Sequence, residues 1–199
     1  MPVILLCVII FVVWLHYETT KTSKLDKEKS ESFWNREREA NNTRKVDISN
    51  LDYITIPLDT LPFQETEDVT LKSLQEKMKE LSNEKIVNLT GLSNTDLKFK
   101  YGASNLTYLS NYDQNYTVLV RTLNTWGTYL YEHNNLQEAK TVLECAVNCH
   151  SDIKNTYVLL ATIYISLETR GKINELLEVA QNLNSLSKNT ILNALNDML

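Results

Sequence analysis

The chain has 199 residues, of which 43% are hydrophobic and 23% charged, with a formal net charge of −5. That balance argues against a nucleic-acid partner, and the only glycines, Gly91, Gly102, Gly127 and Gly171, leave no glycine-rich phosphate loop. The C-terminal stretch 67–199 is long enough to bury one core without help from metal or disulfide.

Val3 to Leu15 is an unbroken apolar run closed by His16 and Tyr17. At 1.5 Å per residue it extends roughly 20–25 Å, against about 30 Å of hydrocarbon, so as an uncleaved anchor over 1–17 it must stand upright or thin the bilayer. A cleaved signal peptide is the competing reading, but no basic residue precedes the run and no small-x-small site comes after Tyr17. Cys7 lacks the small neighbours of a lipidation site. Lys21, Lys24, Lys27 and Lys29 come directly after the run, and basic residues stay on the cytoplasmic side, which places the remaining chain in the cytoplasm. The outer face stays open, because short N-terminal anchors often export the domain behind them. Cys145 and Cys149, one helical turn apart and poorly placed for a disulfide, agree with a reducing compartment.

Residues 18–45 mix Lys, Arg, Glu and Asp around Leu25, Phe33 and Trp34, the pattern of a solvated, partly helical stalk. From Val46 to Thr66 apolar residues alternate, and Pro57 and Pro62 rule out a long helix. This segment is expected to lie extended along the next domain; occupying a peptide groove until a partner displaces it, or remaining disordered, are the alternatives. Leu71, Leu74, Met78 and Leu81 then mark an amphipathic helix. Asn88 to Gly91 interrupts it, Asn94-Thr95-Asp96 caps a short helix through Phe99 and Tyr101, and Tyr108, Leu109 and Tyr112 come next.

The C-terminal half repeats itself. Leu123, Trp126, Gly127 and Leu130, with Ala139, Leu143 and Ala146 after them, recur 34 residues later as Tyr157, Leu160, Ala161 and Tyr164, then Ile173, Leu177 and Ala180. Small residues let two helices approach while large ones fill the space beside them. The period and these positions resemble the tetratricopeptide repeat. The resemblance implies two helix hairpins, about 113–149 with a turn at Asn134-Asn135 and about 152–186 with Ser151 and Asp152 as caps, then a covering helix 188–198 that Ser187 caps and that carries Ile191, Leu192 and Leu195. The second return helix has two registers, one through Ile173, Leu177 and Ala180, the other through Leu176, Ala180 and Leu183 with Gly171 as the turn. An ordinary helical bundle with the same core residues is the alternative. The expected fold class is thus all-α: antiparallel hairpins stacked as a short superhelix, preceded by a single transmembrane helix and a charged stalk.

Stacking of that kind would turn Arg121, Asn124, Thr128 and Tyr131, with Asn155, Val158, Thr162 and Ile165, toward one groove. Their amides, hydroxyls and aliphatics suit an extended peptide held partly through its backbone. Cys145, Cys149 and His150 fall short of the four ligands of a structural zinc site, and neither a Gly-x-Ser-x-Gly elbow nor a His-Glu-x-x-His motif occurs. No catalysis, cofactor, metal or small-molecule substrate is therefore expected. Asn-x-Thr triplets at Asn41, Asn88, Asn105 and Asn115 would be glycan acceptors in a eukaryotic secretory lumen, but chance in an Asn-rich chain explains them more cheaply, and that richness, with abundant Lys and Ile, points to an AT-rich, bacterial genome. Two function classes remain: a membrane-tethered scaffold that binds a protein or peptide partner, and an architectural subunit buried for good in a membrane-bound complex.

Overall fold

The spacing Leu71, Leu74, Met78, Leu81 becomes helix α2, Val69–Leu81, whose first turn is closed by the Asp68 carboxylate accepting the Leu71 N–H at 2.8 Å. The computed structural model describes residues 2–199, without the side chains of Pro2, Leu5 and Leu25. Among the described residues the chain is all-α. Its eight helices are α1 (Pro2–Asn41), α2, α3 (Asn94–Tyr101), α4 (Leu106–Glu132), α5 (Leu136–Asn148), α6 (Lys154–Ser166), α7 (Ile173–Gln181) and α8 (Lys188–Asn196). The chain divides into unit 1, residues 1–46 and 93–106, and unit 2, residues 47–92 and 107–199.

Unit 1 is built on α1, which takes in the whole charged stretch as far as Asn41 rather than a partly helical stalk. Lys24 and Glu28, and Lys27 and Glu31, stand one turn apart, a spacing that favours helix. The large apolar side chains described between Val3 and Leu15 are 45% to 69% exposed. Among the described residues no helix is long and apolar enough to cross a membrane. The far end of α1 meets α3 through polar contacts. Arg36 pairs with Asp96 at 2.7 Å, Glu37 takes Lys98 and the Thr95 hydroxyl, and Ala40 and Leu97 are buried. Ser93 is the N-cap of α3, in a reciprocal box with Asp96, the one member of the Asn-Thr-Asp triplet that takes part. Gly102 has φ +87°, and a Cβ there would lie 2.4 Å from the Arg44 carbonyl oxygen, so only glycine fits.

Unit 2 surrounds one apolar core. The sequence expects the first hairpin to start near residue 113, but α4 starts at Leu106, because Leu109, Tyr116, Val120 and Leu123 continue one buried stripe. Trp126 is completely buried, as are Leu123, Leu130, Leu160 and Tyr157. A Cβ on Gly127 would lie 2.5 Å from the Leu143 side chain, and this is the close approach that the small residue permits. The segment after Val46 belongs to the same core: Ile56 and Leu61 are buried in it, and the Phe63 ring stands 5.3 Å from Trp126.

Helices α4, α5 and α6 end alike. Asn134, His150 and Glu168 adopt left-handed backbone, φ 61°, 57° and 58°. The next N–H in each case returns to a carbonyl five residues earlier: Asn135 to Leu130, Ser151 to Ala146, Thr169 to Tyr164. Asn134 and Glu168 are one 34-residue step apart. The turn after α6 thus rests on Glu168, whereas Gly171 sits in a 3-10 turn, Arg170–Lys172, with open space around it. The face of α7 combines the two expected registers: Ile173, Leu176, Ala180 and, just beyond the helix, Leu183 are buried, and Leu177 is half-buried. Two expected caps are absent. Asp152 accepts the Ser185 hydroxyl at 2.6 Å instead of capping α6, and Ser187 makes no side-chain cap for α8.

Candidate protein-interaction surface

The helical step of α4 and α6 brings three of the eight expected groove residues into direct contact. The Asn155 amide donates to Asn124 Oδ1 at 3.1 Å and to the Thr128 hydroxyl oxygen at 3.2 Å. The buried Thr156 hydroxyl donates to the same Asn124 oxygen at 3.2 Å. Asn124 is therefore committed to a seam between α4 and α6 rather than free for a ligand. The sequence carries a signal for Thr156, since Thr122 stands one 34-residue step before it and is buried too.

The other five differ in what they offer. Arg121 and Ile165 are exposed, Ile165 to 41%. Val158 and Thr162 are half-buried, and the Thr162 hydroxyl donates back to the Val158 carbonyl at 2.9 Å. Tyr131 packs against the core. Four hollows along unit 2, of about 250, 460, 280 and 760 Å³, have none of the eight in their lining.

Two of those hollows flank α5, and the other two lie among the loops near residues 90, 150 and 184. One of about 460 Å³ separates α5 from residues 52–60 and reaches Cys145, Cys149 and His150. Both thiols are buried, and Cys149 is pushed up by its hydrogen bond with Cys145 and by burial. No group of three or more His, Cys, Asp or Glu among the described residues is arranged to hold a metal ion. Beside this hollow, buried Tyr116 donates to the His150 carbonyl at 2.7 Å and accepts from the Asn88 amide at 3.0 Å. Burial raises the Tyr116 phenol well above its ordinary value, which keeps it a donor. On the other flank of α5 the Tyr164 hydroxyl donates to Glu144 at 2.8 Å, and Lys172 stands 3.6 Å from the same carboxylate.

Three of the four Asn-x-Thr triplets have their amide nitrogens in use. Asn88 bonds Tyr116, Asn115 bonds the Lys85 carbonyl, and fully buried Asn105 donates to the Val46 and Tyr101 carbonyls, each at 2.7 Å. Against known proteins, the chain matches no family model, no curated protein and no solved structure.

Proposed function

We propose that the chain is a non-catalytic protein-binding scaffold, its two hairpins stacked in the manner of tetratricopeptide repeats and tethered to a membrane by the apolar run of α1. The observation that carries the reading is the 34-residue step in three dimensions. Trp126 and Leu160, Leu123 and Tyr157, Ala139 and Ile173, and Ala146 and Ala180 are each a pair one step apart with both members fully buried. Left-handed Asn134 and Glu168 close the first helix of each hairpin at the same step. A repeat that recurs in burial and in helix ends is a unit built to be stacked.

For the tether, the support is the exposure of every described side chain from Val3 to Tyr17. A protein neighbour covers one stripe of a helix, whereas lipid covers all of it, and Trp14, His16 and Tyr17 bring polar-edged rings to the end of the run. The run alone is shorter than a bilayer core, so it sits upright with local thinning. The lysines after it favour a cytoplasmic domain. Full-length protein is expected to float with lipid vesicles and a chain lacking residues 1–17 to stay at the bottom of the gradient; equal flotation removes the tether.

The partner face is that of α4 and α6, with Arg121, Val158, Thr162 and Ile165 as the groups left to a ligand. Capture of a partner by the detergent-extracted chain should drop with Arg121→Ala and Ile165→Ala combined, at unchanged thermal stability. The second reading, a permanently buried subunit, is favoured by the saturated Asn124–Asn155 seam. A partner that co-purifies in fixed ratio and does not exchange over hours supports the subunit over the scaffold.

A further inference from the structure

We infer that unit 2 has a second binding surface, a groove that flanks α5 and continues over the loops near residues 90, 150 and 184, and that takes an extended, lysine- or arginine-bearing segment of another polypeptide. The inference rests on the scaffold reading for the class of partner and on different residues for the place. The hollows of unit 2 adjoin one another in series. The one between α5 and α7, about 280 Å³, shares Glu144 and Asn148 with the 460 Å³ hollow beside residues 52–60. That hollow shares Asp52 and His150 with a third of about 250 Å³, and the third shares Asp152 and Ser185 with a fourth of about 760 Å³. Each is partly open to solvent, and their succession has the shape of a trough for a chain rather than a chamber for a small molecule.

Charge selects the occupant. Every one of the first three hollows carries carboxylates: Glu175 with Glu144, then Asp52, then Asp152. Glu144 is answered by Lys172 and the Tyr164 hydroxyl, and Asp152 by the Ser185 hydroxyl. Asp52 and Glu175 have no hydrogen-bond or ion-pair partner among the described residues. They stand at separate places along the trough, as two anchor points for cationic side chains spaced on one chain. The wider field has the same sign: unit 2 has eighteen Asp and Glu against ten Lys and Arg, while unit 1 has ten Lys and Arg against seven acids. A field of that kind gathers a basic segment before it docks. Between the two anchors the exposed Asn148 side chain offers a carbonyl and an amide that have no hydrogen-bond partner among the described residues, the pair that a peptide backbone can use.

The test uses the full-length chain in non-ionic detergent and two fluorescent ten-residue peptides at physiological salt, one alternating Lys and Ser, the other Glu and Ser. The basic peptide should bind, and Asp52→Asn with Glu175→Gln should weaken it about tenfold, as expected for two modest charge pairs. Glu76→Gln with Glu84→Gln removes the same charge from exposed positions away from the trough and should change little. Equal weakening by both double variants overturns the groove by reducing the binding to a diffuse field. Binding of the acidic peptide as tight as that of the basic one overturns it too. If the groove fails while partner capture still depends on Arg121 and Ile165, the scaffold reading stands without it; if neither peptide binds and capture is insensitive to Ile165, both fall.

Discussion

In unit 1 the end of α1 and helix α3 are joined by Arg36 and Asp96, by Glu37 with Lys98 and Thr95, and by the Arg36 guanidinium 5.8 Å above the Phe99 ring, around only two buried apolar residues, Ala40 and Leu97. In unit 2 the reverse holds. Some of its buried polar atoms even go without partners, such as Trp126 Nε1 and the Tyr157 hydroxyl, while the apolar side chains around them close-pack. Ionic contacts near solvent contribute little each and are screened by salt, whereas every buried large side chain contributes kilocalories. Unit 2 should therefore carry most of the stability, and unit 1 should respond to pH and salt.

The strongest way to test that contrast is to open a hole in unit 2. Trp126→Ala should destabilise the chain by about 3–5 kcal/mol, through lost burial and the cavity left under Phe63. No hydrogen bond is lost with the indole, so Trp126→Phe should cost clearly less; equal losses in urea unfolding would mean that the ring's N–H, not its bulk, matters. Gly127→Ala is the converse, an overpacking. Its new Cβ would meet Leu143 at 2.5 Å, so a loss of about 1–3 kcal/mol is expected, partly recovered when Leu143→Val is added. Strict additivity of the two changes would show that the helices do not approach each other there.

The same division separates the parts of the molecule that are legible in the sequence from those that are not. Apolar spacing marks α2, α5, α7 and the burial of Trp126, because a core-facing stripe is written at intervals of three and four. The continuity of α1 leaves no such stripe, since a solvated helix with mixed charges has no apolar face to announce it. The register of α7 is ambiguous in sequence because Ile173 is large where Ala139 is small; in the fold both are fully buried, so the neighbouring helices accommodate the larger side chain. On the candidate surface, periodicity puts Asn124, Thr128 and Asn155 on one face, but whether two amides on one face meet each other or a ligand depends on the distance between helices. The trough that flanks α5 is harder still, for its walls come from loops near residues 52, 88, 150 and 184, which share no sequence pattern.

A smaller effect belongs to the seam between α4 and α6. Asn155→Ala removes the donor to Asn124 and Thr128 at a solvent-exposed position, while Thr156 still serves Asn124. The loss should be about 0.5–1.5 kcal/mol. A variant as stable as the parent would free Asn155 for a ligand role, since the seam would then contribute nothing to the fold.

The smallest expected change is in unit 1 and is read by pH. The Glu37 carboxyl is held below its usual range, first by the hydrogen bond from Lys98, then by that from Thr95. Because its value is depressed in the folded chain, the carboxylate's contribution is fully present at neutral pH and disappears as pH falls through that lowered value. Protection of the Leu97 and Lys98 amides against hydrogen exchange, corrected for intrinsic rates, should therefore fall in acid before that of the Trp126 amide does. Glu37→Gln should lower α3 protection at pH 7 and flatten its pH dependence, leaving Trp126 untouched. If α3 and Trp126 lose protection together at every pH, the two units unfold as one cooperative body, and their different contacts do not give them separate stabilities.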